Sequence, residues 1–323
     1  MTSADCYIRF VGELCALTPT LSGPTSRPWD GLDSLAVSIG EDWGKYSPHL
    51  ETLPPVKSFQ LRLPVMSKTF RSSLECERSP LGLPPQVINR LTYLFICIDW
   101  IANHLLSIIG QCESMEELTI HFWGHPLEYP PQNPISQPII NNGVLLPKVH
   151  KLRLERASID SLPILPLLRA PNLRQLEIDF SRFGYSDTVP FPSLEQRHVD
   201  KHWLPFAQRH SRALRDIRIS CSEGSFPING SPHAMLRPFL SLTRLTLDGA
   251  AFDAKSLFAD DTSASGGQFL MKLETLELLR IGSDFDMDQV FSFFEASVVC
   301  SSPLISIQLM HPCLKKLKVT LEN

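Results

Sequence analysis

The sequence predicts an α/β fold in which short parallel strands stack side by side and are joined by helices or loops. Three observations lead there. The six-residue pattern apolar-x-x-apolar-x-apolar returns ten times along the 323 residues. Stretches with helical apolar spacing lie between several copies. The chain carries 27 prolines yet is 43% hydrophobic, a balance that suits many short elements separated by punctuated connections.

The copies begin at Leu32, Val56, Leu91, Met115, Val149, Leu173, Leu214, Leu242, Leu273 and Leu314. Several are nearly interchangeable: PKVHKLRLE, PNLRQLEID, SLTRLTLDG, MKLETLELL and PCLKKLKVT. A further match at Leu304 falls too close to the last copy to be an independent unit. The second and third apolar residues of each copy are two apart, so both point to one face of a strand, and the first enters the same core from the preceding turn. One such strand cannot hide its apolar face, whereas a stack of them builds a parallel sheet over a continuous core. Spacings of about 24 to 41 residues cover the ordinary leucine-rich repeat and longer variants with insertions. The predicted architecture is therefore an irregular leucine-rich-repeat solenoid over residues 29–323. Its concave face carries the sheet, and its convex face carries helices or loops. Residues 1–28 hold no copy and are expected to form an N-terminal cap or a partly disordered segment.

Helices are expected at Asp99–Cys112, at Asp160–Arg169 with Pro163 near its start, and at Asp286–Val298 with Asp286 or Asp288 as N-cap. Gly124–Gly143, with five prolines, reads as an extended loop. Cys221–Pro238 and Asp260–Gln268 read as surface insertions.

The net charge of −4 gives neither the basic footprint of a nucleic-acid binder nor a polybasic patch for a membrane. No apolar run is long enough to cross a bilayer, and Asp5, Arg9 and Glu13 interrupt the opening residues where a signal peptide would be apolar. An intracellular protein, cytoplasmic or nuclear, is expected. The eight cysteines are scattered and form no C-x-x-C pair, so reduced, mostly buried thiols are expected. The sequon at Asn229 is read as fortuitous in that setting.

No catalytic constellation emerges. Asp284, Asp286, Asp288 and Glu295 match four ligand positions of an EF-hand loop, but Gln289 replaces the turn glycine; helix capping explains the acids better. His198 and His202 stand four apart with His210 nearby, yet no glutamate follows the first histidine as in H-E-x-x-H. They read as solvated histidines on an insertion. The GEDWGK run is too short for a phosphate-binding loop, and no G-x-S-x-G occurs. Neither a metal nor a cofactor is expected.

The segment LPKVHKLRLERASIDSLPILPLLRAPNLRQLEIDF resembles the divergent leucine-rich region of F-box proteins from mushroom-forming fungi, as do LRPFLSLTRLTLDGAAFDAKSLF and KLETLELLRIGSDFDMDQVFSFFEAS. The resemblance implies a repeat region that receives a protein substrate for ubiquitination. It implies a Skp1–cullin partner only where an F-box lies upstream or hidden, since no F-box-like opening precedes the first copy. The sequence also departs from the standard repeat in lacking its asparagine ladder: those slots hold residues such as Gly40, Asp99, Ala157 and Ala250.

The residues alternating with the core positions are expected on the concave surface. They are Tyr93, Phe95, Glu117, His121, Lys151, Arg153, Glu155, Glu177, Asp179, Arg218, Arg244 and Asp248. Their mixed signs suit a protein partner of unknown identity rather than a nucleic acid, with Tyr93 and Phe95 as an aromatic anchor if exposed. The expected function is a protein-binding solenoid. The competing expectations are a hydrolase or metal-binding protein using the 198–210 histidines, and a truncated, non-functional relic.

Overall fold

The computed structural model describes residues 32–38, 53, 55–63, 83–98, 102–122, 142–180, 199–221, 232–249, 270–281, 285–288, 290, 314 and 316–321. The expected N-terminal segment 1–28 lies outside them, as do the loop over 124–141 and the insertion over 260–268. The chain divides into two compact units, 1–150 with 167–170 and 151–166 with 171–323.

In the first unit, strands β1 (Ser34–Ser38), β2 (Ser58–Arg62), β3 (Tyr93–Ile98) and β4 (Glu117–Phe122) lie parallel in chain order. Registration follows the apolar pattern: Leu35 pairs with Phe59, Phe59 with Leu94 and Leu94 with Leu118. Phe59, Leu61, Leu94, Ile96, Leu118 and Ile120 are buried. The short helix α1 (Pro85–Ile88) precedes β3 and buries Val87 and Ile88. Helix α2 (Ala102–Gln111) falls inside the predicted span and buries Leu105, Leu106, Ile108 and Ile109, the i, i+3, i+4 stripe that covers a sheet. A two-residue parallel ladder joins β5 (Val144–Leu145) to β7 (Leu168–Arg169). Gly143, at φ +69°, precedes β5, and a Cβ there would stand 2.7 Å from the Leu167 carbonyl oxygen.

In the second unit, β6 (Lys151–Glu155), β8 (Gln175–Phe180), β9 (Asp216–Cys221), β10 (Arg244–Asp248), β11 (Thr275–Ile281) and β12 (Lys316–Leu321) are likewise parallel in chain order. Leu152, Leu176, Ile217, Leu245, Leu276 and Leu317 stand in one register. All ten copies of the pattern thus fall on parallel strands.

The turns into β2, β3, β4, β9, β10 and β11 share one geometry. The carbonyl just before one strand accepts two consecutive N–H groups from the turn into the next: Lys57 and Ser58 on Asp33, Thr92 and Tyr93 on Lys57, Glu116 and Glu117 on Thr92. The same arrangement joins Arg215 and Asp216 to Arg174, Thr243 and Arg244 to Arg215, and Glu274 and Thr275 to Thr243. Thr92 and Thr243 add their hydroxyls to the same carbonyls. These bonds satisfy backbone groups that would otherwise be stranded where the apolar side chains enter the core.

Three expectations need correction. Asp160–Arg169 is not an α-helix: residues Ile159–Leu167 form a 3-10 helix that leads into β7. Pro163 and Pro166 each remove an i→i−4 hydrogen bond, and their rings crowd the carbonyl four residues back, which disfavours an α-helix over this stretch. Cys221–Pro238 is not wholly a surface insertion, because helix α4 (Pro232–Leu236) buries Met235 and Leu236. The histidine-bearing segment is not a solvated insertion either. A π-helical turn at Val199–Trp203 leads into α3 (Leu204–His210), which buries Phe206, Ala207 and His210. Trp203 packs edge-on against Phe239 at 5.9 Å between centroids, and its indole N–H donates to the Met235 carbonyl at 2.8 Å.

Near the third helical expectation, the Asp286 carboxylate accepts the N–H of Asp288 at 3.1 Å, a capping bond at the first helical turn. Asp284 and Glu295 lie outside the described residues. Among the described residues, Cys97, Cys112 and Cys221 are buried and joined in no disulfide. Burial pushes Cys112 up to about 12 and also raises Cys221. Among the described residues no helix is long and apolar enough to cross a membrane.

Candidate binding surface on the sheet

Register fixes which outward side chains are neighbours in the second unit. One row across the strands reads Lys151, Gln175, Asp216, Arg244, Thr275, Lys316. The next reads Arg153, Glu177, Arg218, Thr246, Glu277, Lys318. A third holds Asp179, Ser220, Asp248 and Leu279, with Glu155 at the matching end of β6.

Opposite charges in these rows are joined. Lys151 reaches Glu177 at 3.1 Å. The Arg153 Nε lies 3.1 Å from Glu155 and 3.4 Å from Glu177. Arg244 stands 3.6 Å from Asp216, and Lys316 lies 3.1 Å from Glu277, which also accepts the Thr246 hydroxyl. Asp248 sits between two guanidiniums, at 2.7 Å from Arg218 and 2.6 Å from Arg280.

Arg280 owes its place to the backbone. Arg156, Gly249 and Arg280, each five residues past the first residue of its strand, have φ of +54°, +68° and +49°. The β11–β12 register shifts between Leu278 and Ile281, so the extra residue turns Arg280 back across β10. Strict alternation assigns Arg280 to the core face, so counting along the sequence overlooks it; no feature of the local residues announces the bulge.

Most of the cations stand higher than the carboxylates, although Lys151, at 30% exposed against 27% for Glu177, lies level with its partner. The side chains of Arg153, Arg218, Arg244 and Lys316 are 44–58% exposed, whereas the carboxylates they meet are 10–27% exposed. Burial raises Asp216, against the opposing pull of Arg244. The hydrogen bond from Lys316 lowers Glu277.

The first unit offers a different face. Tyr93 is half-buried, and Phe95 is buried at 7% exposure. Phe95 is therefore not the exposed anchor the sequence allowed. The Arg62 guanidinium lies 4.8 Å above its ring, and His121 packs against it at 6.0 Å between centroids. Thr119 beside it and Cys97 on its own strand are also buried. Glu117 and His121 are half-buried.

The histidines do not converge on a site among the described residues. His210 is buried, with its ring 4.5 Å from that of Phe206, and His202 is half-buried. His198 lies outside the described residues. Among the described residues no group of three His, Cys, Asp or Glu could hold a metal ion.

Set against known protein families and characterised proteins, the chain matches none of them.

Proposed function

We propose that this chain is a protein-binding leucine-rich-repeat module, a substrate-recognition element of the kind found in F-box ubiquitin-ligase adaptors, acting inside the cell. The observation that carries this reading is the outward face of β6 and β8–β12. Six parallel strands hold an ordered two-sign charge array in fixed register. A rigid array of this kind suits recognition of a complementary protein surface, where charge placement sets specificity more than raw affinity. Strand-borne groups also hold their geometry better than loop-borne ones.

The test uses the tagged full chain in its native cells, beside a variant carrying Arg153→Glu and Arg244→Glu. The expected result is a specific protein captured by the parent and lost from the variant, with both chains equally folded by circular dichroism. Identical captures from the two chains overturn the assignment of binding to this face. Gel filtration of the purified chain with Skp1 tests the adaptor part: co-elution supports it, and separate elution removes it while leaving the binding module in place.

A further inference from the structure

We infer that the second unit's sheet face takes an extended, acidic protein segment, with the exposed cations Arg153, Arg218, Arg244, Lys316 and Lys318 as its contacts. This rests on the protein-binding reading above and adds the partner's chemistry. Counting signs along the strands gives a nearly balanced face, and a balanced face selects no partner charge. The vertical arrangement breaks the balance. The carboxylates lie low and already accept bonds from the cations beside them, as Asp248 does from two guanidiniums and Glu277 does from Lys316 and Thr246. The cations stand above them and keep donors for another acceptor. A guanidinium has five N–H groups; Arg218 directs two atoms, Nη2 and Nε, at Asp248 and Ser220. Arg244 is held only loosely, at 3.6 Å from Asp216, and Lys318 is exposed. An approaching chain meets positive charge first.

Spacing favours an extended segment laid across the strands. Parallel strands lie about 4.8 Å apart. Arg153 and Arg218 share a row with one strand between them, so they are about 10 Å apart. Arg244 and Lys316 share the adjacent row with one strand between them, giving the same separation. An extended chain advances about 3.3 Å per residue, so carboxylates three residues apart reach both members of either pair. A nucleic-acid strand, with its dense and regular phosphates, would instead be repelled by the interleaved carboxylates.

The test is fluorescence anisotropy on the full chain. The probes are a labelled twelve-residue peptide alternating Glu-Gly-Ser, the same peptide with Gln for Glu, and a labelled oligo-dT of similar length. The Glu peptide is expected to bind, with affinity falling as salt rises from 50 to 300 mM because exposed charges are screened over about 10 Å at 0.1 M. The Gln peptide is expected not to bind. Arg244→Gln and Lys318→Gln touch the least constrained cations. Each should weaken Glu-peptide binding about 2- to 5-fold, and the pair about 5- to 20-fold, with thermal midpoints unchanged. Arg218→Gln leaves Asp248 short of one partner and is read only if its midpoint matches the parent's. Equal binding of the Glu and Gln peptides, or tighter binding of oligo-dT, overturns the inference, as does unchanged affinity in the double variant. A cellular partner lost on Glu155→Lys but retained by the cation variants would sink the acidic-segment inference and keep the protein-binding reading. A partner lost in none of these variants sinks both.

Discussion

The third residue of β3 and the third residue of β6 occupy the same slot of the same apolar pattern, yet one is Phe95 and the other Arg153. Phe95 is buried under Arg62 and against His121. Arg153 is half-exposed and paired with two carboxylates. The leucine positions fix strand, register and core in both units alike. The residues between them decide whether the other face is closed by packing or kept open for charge. The contrast is sharpest at the outward slots of β3 and β4, where Phe95, Cys97 and Thr119 are buried, whereas β1 and the end of β2 keep Ser34, Ala36, Ser38 and Arg62 exposed.

The largest effect should fall where the outward face is packed. Phe95→Ala is expected to cost about 3–4 kcal/mol, as a buried aromatic does elsewhere, seen as a lower urea midpoint. A loss below about 1 kcal/mol would mean that Phe95 is a surface residue after all, and the contrast between the units would collapse. Next comes Gly249→Ala, at about 2–3 kcal/mol. Gly249 has φ +68°, and a Cβ there would overlap the Cys221 carbonyl oxygen. A neutral result would show that this turn relaxes freely and that the Arg280 placement just beyond it is not rigid.

The charged face should respond less. Asp248→Asn is expected to cost about 1–2 kcal/mol, since it weakens two charge-assisted bonds to a nearly buried group. Arg153→Ala, in the slot equivalent to Phe95, should change stability by no more than about 0.5 kcal/mol. Thermal melts of Phe95→Ala and Arg153→Ala side by side give the sharpest form of the comparison. Similar losses would refute it.

The strands were legible because their signal is redundant: three apolar residues at fixed spacing, ten times over. The two-residue ladder of β5 and β7 was not, because Val144–Leu145 and Leu168–Arg169 are too short to show any period. Helix α3 carries a legible signal: Trp203, Phe206, Ala207 and His210 stand at i, i+3, i+4 and i+7, the spacing of a buried helical stripe, which overlaps the histidine spacing that suggests a metal site. On the candidate surface, alternation located Lys151, Arg153, Glu177, Arg218 and Arg244. It could not reveal Arg280, which depends on a bulge, nor the difference in height between cations and carboxylates, which depends on how long each side chain is and what it bonds. Whether Phe95 is an exposed anchor stays open in the sequence for a related reason: parity says which way a side chain points, and neighbours such as Arg62 and His121 decide whether it is covered.

The smallest expected effect concerns acid titration, and it separates two carboxylates on one face. Burial raises Asp216 above its ordinary 3.8, with Glu177 and Glu277 adding to the rise and Arg244 opposing it. The Lys316 hydrogen bond lowers Glu277 below its ordinary 4.5. The signs oppose each other. Glu277 contributes stability that is present above its unfolded value and lost as pH falls through its depressed folded value. Asp216 favours the folded state in its protonated form, so its contribution is present below its unfolded value and disappears as pH rises through its raised folded value. As acid is added, the Arg244–Asp216 contact should therefore loosen earlier than an ordinary aspartate would allow, and the Lys316–Glu277 contact later than an ordinary glutamate would. Carboxyl-carbon NMR across the acid range measures both directly. Lys316→Gln should return Glu277 upward towards 4.5 and leave Asp216 nearly where it was, because Lys316 is not among the charges acting on Asp216. If Asp216 instead titrated at or below 3.8, the pull of Arg244 would outweigh the burial of the carboxyl, and the two carboxylates would shift the same way rather than apart.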